Sequence, residues 1–580
     1  MHDLSIDPVT LVVLQGRLEQ VVDEMDATLF RSAFNPIIAE AHDASHGIYD
    51  RDSGATLAQG KSGLPIFVGA MSFAVKLVID KVARDGGLQD GDVYIFNDPY
   101  EGGTHLSDFK LVRPIFRAGK LYCYMASVGH WHDVGGNVPG NYNPAAVESF
   151  QEGMLIPPVK LISGGVLSED IIDIMRANSR QPVSLYGDLN GQINALDLGV
   201  RRFGELLDEY GDDLVDAAFI ELCARAARLM RANIAELADG NYACDDWLDN
   251  DGISDAPLAI ALDMKISGDK LVLDFSRTAA ACAGPVNISR ATAIAACYVA
   301  LKHIFHDVPA NAGVLEPIEF VIPKGSILHA THPRPVGGYT ETILRLIDVI
   351  FGAMAKVAPE RSNGCAYGTI NALSLAGHRE DGRRWVMFSF FGGGHGGHPE
   401  GDGLSHGNAP ISTATIPPVE ILEAAYPVMF SQWALRPDSG GSGRQRGGLG
   451  GIYEIELLEQ SADVFLFGER GCYPPQGVVG GGPGACNVFE YDSDNGKQTP
   501  PLVSKMTGLK ISRGQRLRLQ SPGGGGYGPA FERPPEAVAE DVRLGYVSRM
   551  AALRDYAVVL DEEGHVDEAA TGASRRAASP

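Results

Sequence analysis

Glycine runs in the last third of the chain constrain its fold more than any other sequence feature. Glycine accounts for 70 of the 580 residues, which is about 12% against a usual share of about 7%. Four runs stand out, namely GGGHGG (392–397), SGGSGRQRGGLGG (439–451), VVGGGPGA (478–485) and PGGGGYG (522–528). Glycine weakens helices but permits tight turns and close approach between backbones. Residues 377–530 are therefore predicted to form short strands between glycine loops.

Apolar residues at helical spacing predict a different architecture before that region. Asp7 and Pro8 form a helix start signal, an N-cap aspartate followed by proline at the first helical position. Apolar residues then recur at intervals of three and four, at Leu11, Leu14, Leu18, Val21, Met25 and Leu29. This spacing predicts one long helix that ends near residue 35. Further helices are predicted over residues 66–82, 212–237, 291–304 and 341–357, and strands over 92–96, 110–116, 121–128, 384–391 and, as a pair, 263–275.

These elements predict a multidomain α/β fold of the mixed α+β kind. We divide the chain into a metal-site α/β region (1–170), a helical and mixed α/β middle region (171–376), the glycine-rich β-region (377–530) and C-terminal helices with a tail (531–580). In the last region, two short helices are expected over 535–543 and 548–556. The final alanine, serine and arginine residues are expected to form a disordered tail.

Charge and composition exclude several classes of protein. The chain has 48 basic and 73 acidic residues, a formal charge of −25, which disfavours binding to nucleic acid or anionic membranes. Its eight cysteines form no CxxC pair, so a zinc knuckle or disulfide framework is not expected. The N-terminus has no signal-peptide pattern, and no apolar stretch approaches the roughly 20 residues that a membrane span needs. We therefore expect a cytoplasmic protein.

Three motifs match the spelling of known functional loops but not their context. Gly60-Lys61-Ser62 follows Gly54 with one residue too many for a Walker A loop. The GxGxxG spelling at 392–397 follows a predicted strand, yet the prolines and glycines after it forbid the helix that a dinucleotide site requires. The GxSxG spelling at 403–407 lies between loop residues, whereas a nucleophile elbow needs a strand before it and a helix after it. All three are interpreted as loops.

Histidines and aspartates in the first region suggest a metal site. His105 and Asp108 lie three residues apart in a glycine-rich turn, His130 follows the strand predicted over 121–128, and Asp43 follows the first helix. Two imidazoles and two carboxylates are a donor set that suits Zn²⁺, Mn²⁺ or Fe²⁺. The alternative is that these groups cap turns and bond to backbone, as most loop histidines do. Spacing alone leaves both open.

A series of ordered motifs along nearly the whole chain adds a family resemblance. They are DPVT (7–10), FNDPY (96–100), GGTH (102–105), DVGG (133–136), PG (139–140), EG (152–153), IPPVK (156–160), GPVN (284–287), LRPDSGG (435–441), RGGLG (446–450) and PGGGGYG (522–528). In these the chain resembles the hydantoinase B/5-oxoprolinase family. That family includes B subunits of ATP-dependent hydantoinases and lactamases, and alpha subunits of acetone carboxylases.

The resemblance implies a division of labour between two subunits. An A-type subunit uses ATP to activate an amide or ketone, and the B-type subunit holds a divalent metal, Zn²⁺ or Mn²⁺, and completes the reaction. The assembly is expected to be α₂β₂ or larger. The implied metal ligands fall on Asp43, His105, Asp108 and His130. His132, two residues from His130, is a competing ligand, because residues two apart in an extended segment point the same way.

If His130 is the ligand, His132 is expected to lie near the metal as a proton carrier, a role that its ordinary pKa of about 6.5 permits. Asp133 is a candidate acceptor that orients an imidazole N–H, or else a turn cap. The predicted function is the metal-bearing subunit of an ATP-dependent cyclic-amide hydrolase acting on a hydantoin, 5-oxoproline or another lactam. The alternatives are the catalytic subunit of an acetone- or acetophenone-type carboxylase, and a purely structural subunit.

Overall fold

The computed structural model describes residues 6–412 and 415–578. The chain forms two compact units, each assembled from separate stretches of sequence. Unit 1 comprises Met1–Asn241, Met264–Tyr339 and Ile411–Pro417, and unit 2 comprises Tyr242–Asp263, Thr340–Pro410 and Pro418–Pro580. Helices and several sheets occur together, which confirms the expected mixed α/β fold. The division into four regions stays a prediction.

The described chain before Tyr339 contains seven helices and eleven strands. The helices are α1 (Pro8–Ser32), α2 (Pro36–Ala39), α3 (Pro65–Asp85), α4 (Glu169–Ala177), α5 (Pro182–Tyr210), α6 (Asp212–Ala235) and α7 (Arg290–Ile304). The strands are β1 (Ala44–Asp50), β2 (Thr56–Gln59), β3 (Val93–Phe96), β4 (Asp108–Arg117), β5 (Lys120–His130), β6 (Val159–Ser163), β7 (Val166–Leu167), β8 (Gly240–Leu248), β9 (Leu258–Ser267), β10 (Lys270–Asp274) and β11 (Ile318–Val321).

Helix α1 confirms the pattern from which it was predicted. The Asp7 carboxylate accepts hydrogen bonds from the N–H groups of Val9 and Thr10, both at 3.0 Å, and so caps two free amides at the helix start. The six apolar residues named above are all buried. They face α5 and the first strands of the sheet.

Unit 1 is organised around a seven-stranded sheet with the strand order β2-β1-β5-β4-β3-β6-β7. Strands β4 and β5 form an antiparallel hairpin, and β1 pairs with β5 on its other side. The order differs from the chain order because β5 lies between β1 and β4. Consequently, the start of β1, the end of β5 and the start of β4 lie side by side at one end of these strands. In the same unit, β10 and β11 pair in parallel.

Unit 2 is built mainly from antiparallel strands. The remaining helices are α8 (Tyr339–Met354), α9 (Val419–Ala425), α10 (Pro535–Arg543), α11 (Arg549–Tyr556) and α12 (Glu568–Ala578). The strands are β12 (Ala372–His378), β13 (Arg384–Ser389), β14 (Val428–Leu435), β15 (Gly451–Leu457), β16 (Ser461–Phe467), β17 (Val488–Ser493), β18 (Gly496–Gln498), β19 (Lys505–Ser512) and β20 (Arg516–Gln520). Two sheets, ordered β13-β12-β16-β19 and β14-β15-β20-β17-β18, share an apolar core.

The glycine runs of unit 2 pack backbone against backbone. A Cβ on Gly524 would lie 1.9 Å from the carbonyl oxygen of His395, and one on Gly394 would lie 1.9 Å from that of Gly448. The same segments are joined by hydrogen bonds, including Gly448 N–H to His395 O at 2.8 Å. Any side chain at these positions would separate the segments. The predicted loops at 392–397 and 403–407 are both confirmed as loops.

At the end of the described chain, the structure differs from the disordered tail that the sequence predicted. Helices α10 and α11 match the two predicted helices, but Glu568–Ala578 forms a third helix, α12, where a disordered tail was expected. Its Thr571 side chain is buried and receives a hydrogen bond from the N–H of Val559 at 3.0 Å. A tertiary contact of this kind overrides weak local propensity. Among the described residues, no helix is long and apolar enough to span a membrane.

Candidate metal centre

The strand register of unit 1 brings together residues that the sequence separates. In the β4–β5 pair, Asp108 lies directly opposite His130, and opposed residues in antiparallel strands have Cβ atoms about 5 Å apart. His105 occupies the turn that leads into β4, three residues before Asp108. The three side chains therefore meet where β4 begins and β5 ends.

Three ligand atoms converge in this cluster. His105 Nε2 lies 3.1 Å from Asp108 Oδ1 and 3.1 Å from His130 Nδ1, and His130 Nδ1 lies 3.2 Å from Asp108 Oδ1. All three residues are buried, at 2%, 0% and 4% exposure for His105, Asp108 and His130. Among the described residues, these three form the group whose potential ligand atoms lie close enough together to hold a metal ion, all within 4.8 Å of one another.

Contacts around the cluster hold its ligands in place. The Thr104 hydroxyl donates to Asp108 Oδ2, which leaves Oδ1 directed at the two imidazoles. The Asn35 amide donates to the carbonyl oxygen of His130 at 2.8 Å, and the N–H of Trp131 donates to Ser107 O at 2.8 Å. These bonds restrict both strand ends, as support around a metal site requires.

The electrostatics of the cluster favour an ionised Asp108. Burial raises the pKa of Asp108, but the neighbouring His105 and His130 lower it more, so its pKa lies well below the ordinary value. Burial raises the pKa of Asp43 to about 7, with the charge of Asp108 acting in the same direction and His130 opposing it. Asp108 is therefore ionised and can bind a cation, whereas Asp43 retains its proton up to near-neutral pH.

Asp43 lies beside the cluster but outside its three converging atoms. It precedes β1, and its carbonyl oxygen accepts a hydrogen bond from the N–H of His130 at 3.1 Å. Its side chain influences the cluster electrostatically, as its shifted pKa shows. The described structure thus brings together three of the four predicted ligands and places the fourth next to them. The complete ligand set stays a prediction.

His132 and Asp133 follow the cluster in a buried loop. His132 is 8% exposed and is not one of the three converging residues. Asp133 accepts hydrogen bonds from the backbone N–H groups of Gly135 at 3.1 Å and Arg180 at 3.0 Å, and its Oδ2 lies 3.1 Å from the Arg180 guanidinium. These are the contacts of a turn cap and ion pair. Catalytic roles for His132 and Asp133 stay predictions.

Tyr142, Tyr339 and Lys110 lie near the cluster but were not predicted as site residues. The ring of Tyr339 lies 4.8 Å from that of His105, and the ring of Tyr142 lies 5.7 Å from it. Lys110 is buried, its Nζ has no hydrogen-bond partner among the described residues, and burial lowers its pKa to about 8. Glu152, from the EG motif (152–153), is buried elsewhere in the same unit, and burial raises its pKa to about 8. For Lys110, the signal in the sequence was a lysine two positions after Asp108 in an apolar strand.

The cluster has the dimensions that a divalent cation requires. Zinc lies about 2.0–2.2 Å from nitrogen and carboxylate ligands, so neighbouring ligand atoms in tetrahedral or octahedral sites are about 2.8–3.6 Å apart. The three observed separations of 3.1–3.2 Å fall in that interval. Without a cation, the two imidazole nitrogens offer at most two N–H donors for these three contacts, so at least one contact has no hydrogen bond. The donor set therefore fits a metal ion.

Comparisons with known proteins agree with the family motifs. The chain is 33% identical over 591 residues to the caprolactamase subunit beta of Pseudomonas jessenii, covering 99% of this chain and 100% of that protein. The crystal structure of the ATP-dependent caprolactamase from Pseudomonas jessenii superimposes with a TM-score of 0.89 at 31% identity, covering 99% of this chain and 100% of that chain. The nucleotide-free structure of acetone carboxylase superimposes with a TM-score of 0.91 at 22% identity, covering 98% of this chain and 83% of that one, a likeness of fold.

A family profile described as hydantoinase B/oxoprolinase matches residues 7–530. The resemblance found in the sequence motifs is thereby confirmed, and this chain belongs to the hydantoinase B/oxoprolinase family.

Proposed function

We propose that this protein is the metal-bearing subunit of an ATP-dependent cyclic-amide hydrolase. The observation that carries the proposal is the convergence of His105 Nε2, Asp108 Oδ1 and His130 Nδ1 within 3.2 Å of one another in a buried site. A divalent cation held by these three residues would supply Lewis-acid polarisation of a carbonyl oxygen and a bound water of lowered pKa. Each of these effects lowers the barrier to hydrolysis of an amide at neutral pH.

The chain's own residues have separate parts in this proposal. His105, Asp108 and His130 hold the cation, with Asp43 as a fourth ligand once its proton is lost. His132 carries a proton between substrate and solvent, since imidazole exchanges protons near neutral pH. The buried rings of Tyr142 and Tyr339 limit the access of water to the site, which strengthens the electrostatic interactions inside it.

A lactam hydrolase is favoured over a carboxylase by sequence identity. The caprolactamase subunit beta is 33% identical to this chain, whereas the acetone carboxylase structure is 22% identical and supports a common fold. One scaffold can host both reactions, so the carboxylase remains the alternative. The observation that would favour it is ATP turnover that depends on bicarbonate and a ketone.

The proposal includes a partner subunit. The sequence lacks a Walker A loop in the correct register, and the caprolactamase relative is named as one subunit of its enzyme. We propose that an A-type subunit phosphorylates the amide oxygen with ATP, and that this chain hydrolyses the activated amide in an α₂β₂ or larger complex. Neither chain alone should open a lactam.

The test is an activity screen of the purified two-subunit complex. The complex is incubated with ATP and a panel of hydantoins, 5-oxoproline and larger lactams, with and without bicarbonate, and both phosphate release and ring opening are measured. Lactam-dependent ring opening without bicarbonate supports the proposal. Turnover that requires bicarbonate and a ketone supports the carboxylase instead. Full activity of an Asp108→Ala complex would leave only a structural role for the metal cluster.

Metal content is checked on the same preparation. We expect about one Zn²⁺ or Mn²⁺ per chain by elemental analysis of protein that has never been exposed to a chelator. Ring opening by a complex without stoichiometric metal would refute the metal-dependent part of the proposal.

A further inference from the structure

Helix α5 carries two polar residues on its buried face, beside the strand ends that bear the metal cluster. Asp188 and Gln192 lie four positions apart, so they share one side of the helix, and both are 0% exposed. Burying a carboxylate and an amide is costly unless their hydrogen bonds are made. The partners of these two side chains therefore indicate what the residues do.

Gln192 joins the two ligand-bearing strands. Its Oε1 accepts a hydrogen bond from Trp131 Nε1 at 2.9 Å. Its Nε2 donates to the carbonyl oxygen of Phe109 at 3.1 Å and lies 3.2 Å from Ser127 Oγ. Phe109 directly follows the ligand Asp108, and Trp131 directly follows the ligand His130. One amide thus spans the residues next to both ligands.

The two residues that Gln192 joins also pack on each other. The rings of Phe109 and Trp131 are stacked, with centroids 3.9 Å apart and planes 6° from parallel. Both residues are fully buried. The hydrogen bond that Gln192 accepts from the indole and the one that it donates to the Phe109 backbone therefore restrict the same stacked pair of residues.

Asp188 supports the same site from one turn earlier. Its Oδ1 accepts hydrogen bonds from the N–H groups of Phe34 at 2.8 Å and Asn35 at 3.2 Å. The side-chain amide of Asn35 in turn donates to the carbonyl oxygen of His130 at 2.8 Å. Helix α5 thus reaches His130 through Asn35 and reaches both strands through Gln192.

We infer that Gln192 is a positioning residue for the metal centre, which fixes the separation between Asp108 and His130 by joining the residues that follow them. The inference rests on the proposed function, because it assigns a purpose to bonds around the proposed ligands. Residues that orient metal ligands without touching the metal commonly contribute about 10–100-fold to metal affinity. Gln192 should contribute an amount in this range.

The experiment compares two substitutions at Gln192 with a control on the same helix. Gln192→Met removes all three hydrogen bonds while keeping a side chain of similar length. Gln192→Glu keeps the shape and an acceptor for Trp131, but it loses the donor to Phe109 O. The control is Asn190→Ala, because among the described residues the Asn190 amide bonds only to its own helix, at Tyr186 O.

Metal-free protein is titrated with Zn²⁺ and with Mn²⁺ by calorimetry, and its thermal unfolding is measured without metal. The visible spectrum of the Co²⁺-loaded protein reports the ligand geometry. We expect Kd to rise about 10–100-fold in both Gln192 variants, a changed Co²⁺ spectrum, and wild-type values in Asn190→Ala. If Gln192→Met fails to fold, Gln192→Glu, which preserves the shape, carries the test.

Two outcomes would overturn the inference, and they are distinguishable. If wild-type protein binds metal and both folded Gln192 variants bind it with unchanged Kd and spectrum, then Gln192 serves the fold and not the site. If wild-type protein binds neither Zn²⁺ nor Mn²⁺, the metal-bearing role in the proposed function fails, and the inference fails with it.

Discussion

The assignment of His130 and not His132 as a metal ligand can be tested by two substitutions that control each other. Both histidines are buried, at 4% and 8% exposure, and they lie two residues apart. His130→Ala and His132→Ala therefore remove the same side chain from similar surroundings. Of these two histidines, His130 belongs to the three converging residues and His132 does not. The two variants should therefore differ in metal binding.

The size of the difference follows from the number of ligands. Structural Zn²⁺ sites bind with a free energy of about 10–16 kcal/mol, so each of four ligands contributes roughly 2.5–4 kcal/mol. Losing His130 should therefore weaken metal binding by about two to three decades, since about 1.4 kcal/mol corresponds to one decade. Losing His132 should leave Kd unchanged and lower the rate by about 10²–10⁴-fold, the usual contribution of a general acid or base.

The assay measures metal affinity and turnover separately. Kd for Zn²⁺ and Mn²⁺ is measured by competition with a chromophoric chelator on metal-free protein, and turnover is measured with the partner subunit, ATP and saturating metal. Circular dichroism confirms that both variants are folded. The reasoning is refuted if affinity falls in His132→Ala and survives in His130→Ala, and the proton-carrier role of His132 is then lost as well.

Three further results are expected. Asp108→Asn keeps the shape of the ligand but removes its charge, so it should abolish turnover of the complex and leave the circular dichroism spectrum of the metal-free chain unchanged; residual activity near wild type would contradict the ligand role. Burial raises the pKa of Glu152 to about 8 from 4.5, so the folded chain binds this proton more tightly than the unfolded chain does, and stability should fall between about pH 4.5 and pH 8 by up to roughly 5 kcal/mol. Glu152→Gln should flatten that part of the pH profile in thermal melts, and an unchanged profile would exclude Glu152 as its source. Gly524→Ala should lower stability by about 3 kcal/mol or more, whereas Gly16→Ala, where a Cβ meets nothing within 4 Å, should be neutral or stabilising; equal melting temperatures for the two variants would refute the close-packing argument.

Local patterns were sufficient to predict much of the secondary structure. The apolar spacing of α1 and its Asp7-Pro8 start are confirmed, as are the predicted helices matched by α3, α6 and α7. These signals are legible in the sequence because each depends on residues within a few positions of one another. The glycine runs predicted loops for the same local reason.

Helix α5, which spans Pro182–Tyr210, was not predicted. Its buried face includes three glycines and two polar residues, which interrupt the apolar spacing: Gly187, Asp188, Gly191, Gln192 and Gly199. The small residues admit neighbours closely, as a Cβ on Gly187 would lie 2.4 Å from the Phe34 ring. The polar residues find hydrogen-bond partners on other elements. Leu185, Leu189, Leu196, Phe203 and Leu207 nevertheless recur at helical spacing, so part of the signal for this helix is present in the sequence and was missed.

The sequence by itself determined the family, the donor types and the segments that carry them. It did not determine the distances between these side chains, because Asp108 and His130 are 22 positions apart along the chain and spacing cannot show that they meet. The pairing of β4 with β5 decided that, by setting Asp108 opposite His130. The placement of β5 between β1 and β4 then brought Asp43 beside them. Register and strand order depend on packing over the whole sheet, so only the tertiary structure could turn these residues into one site.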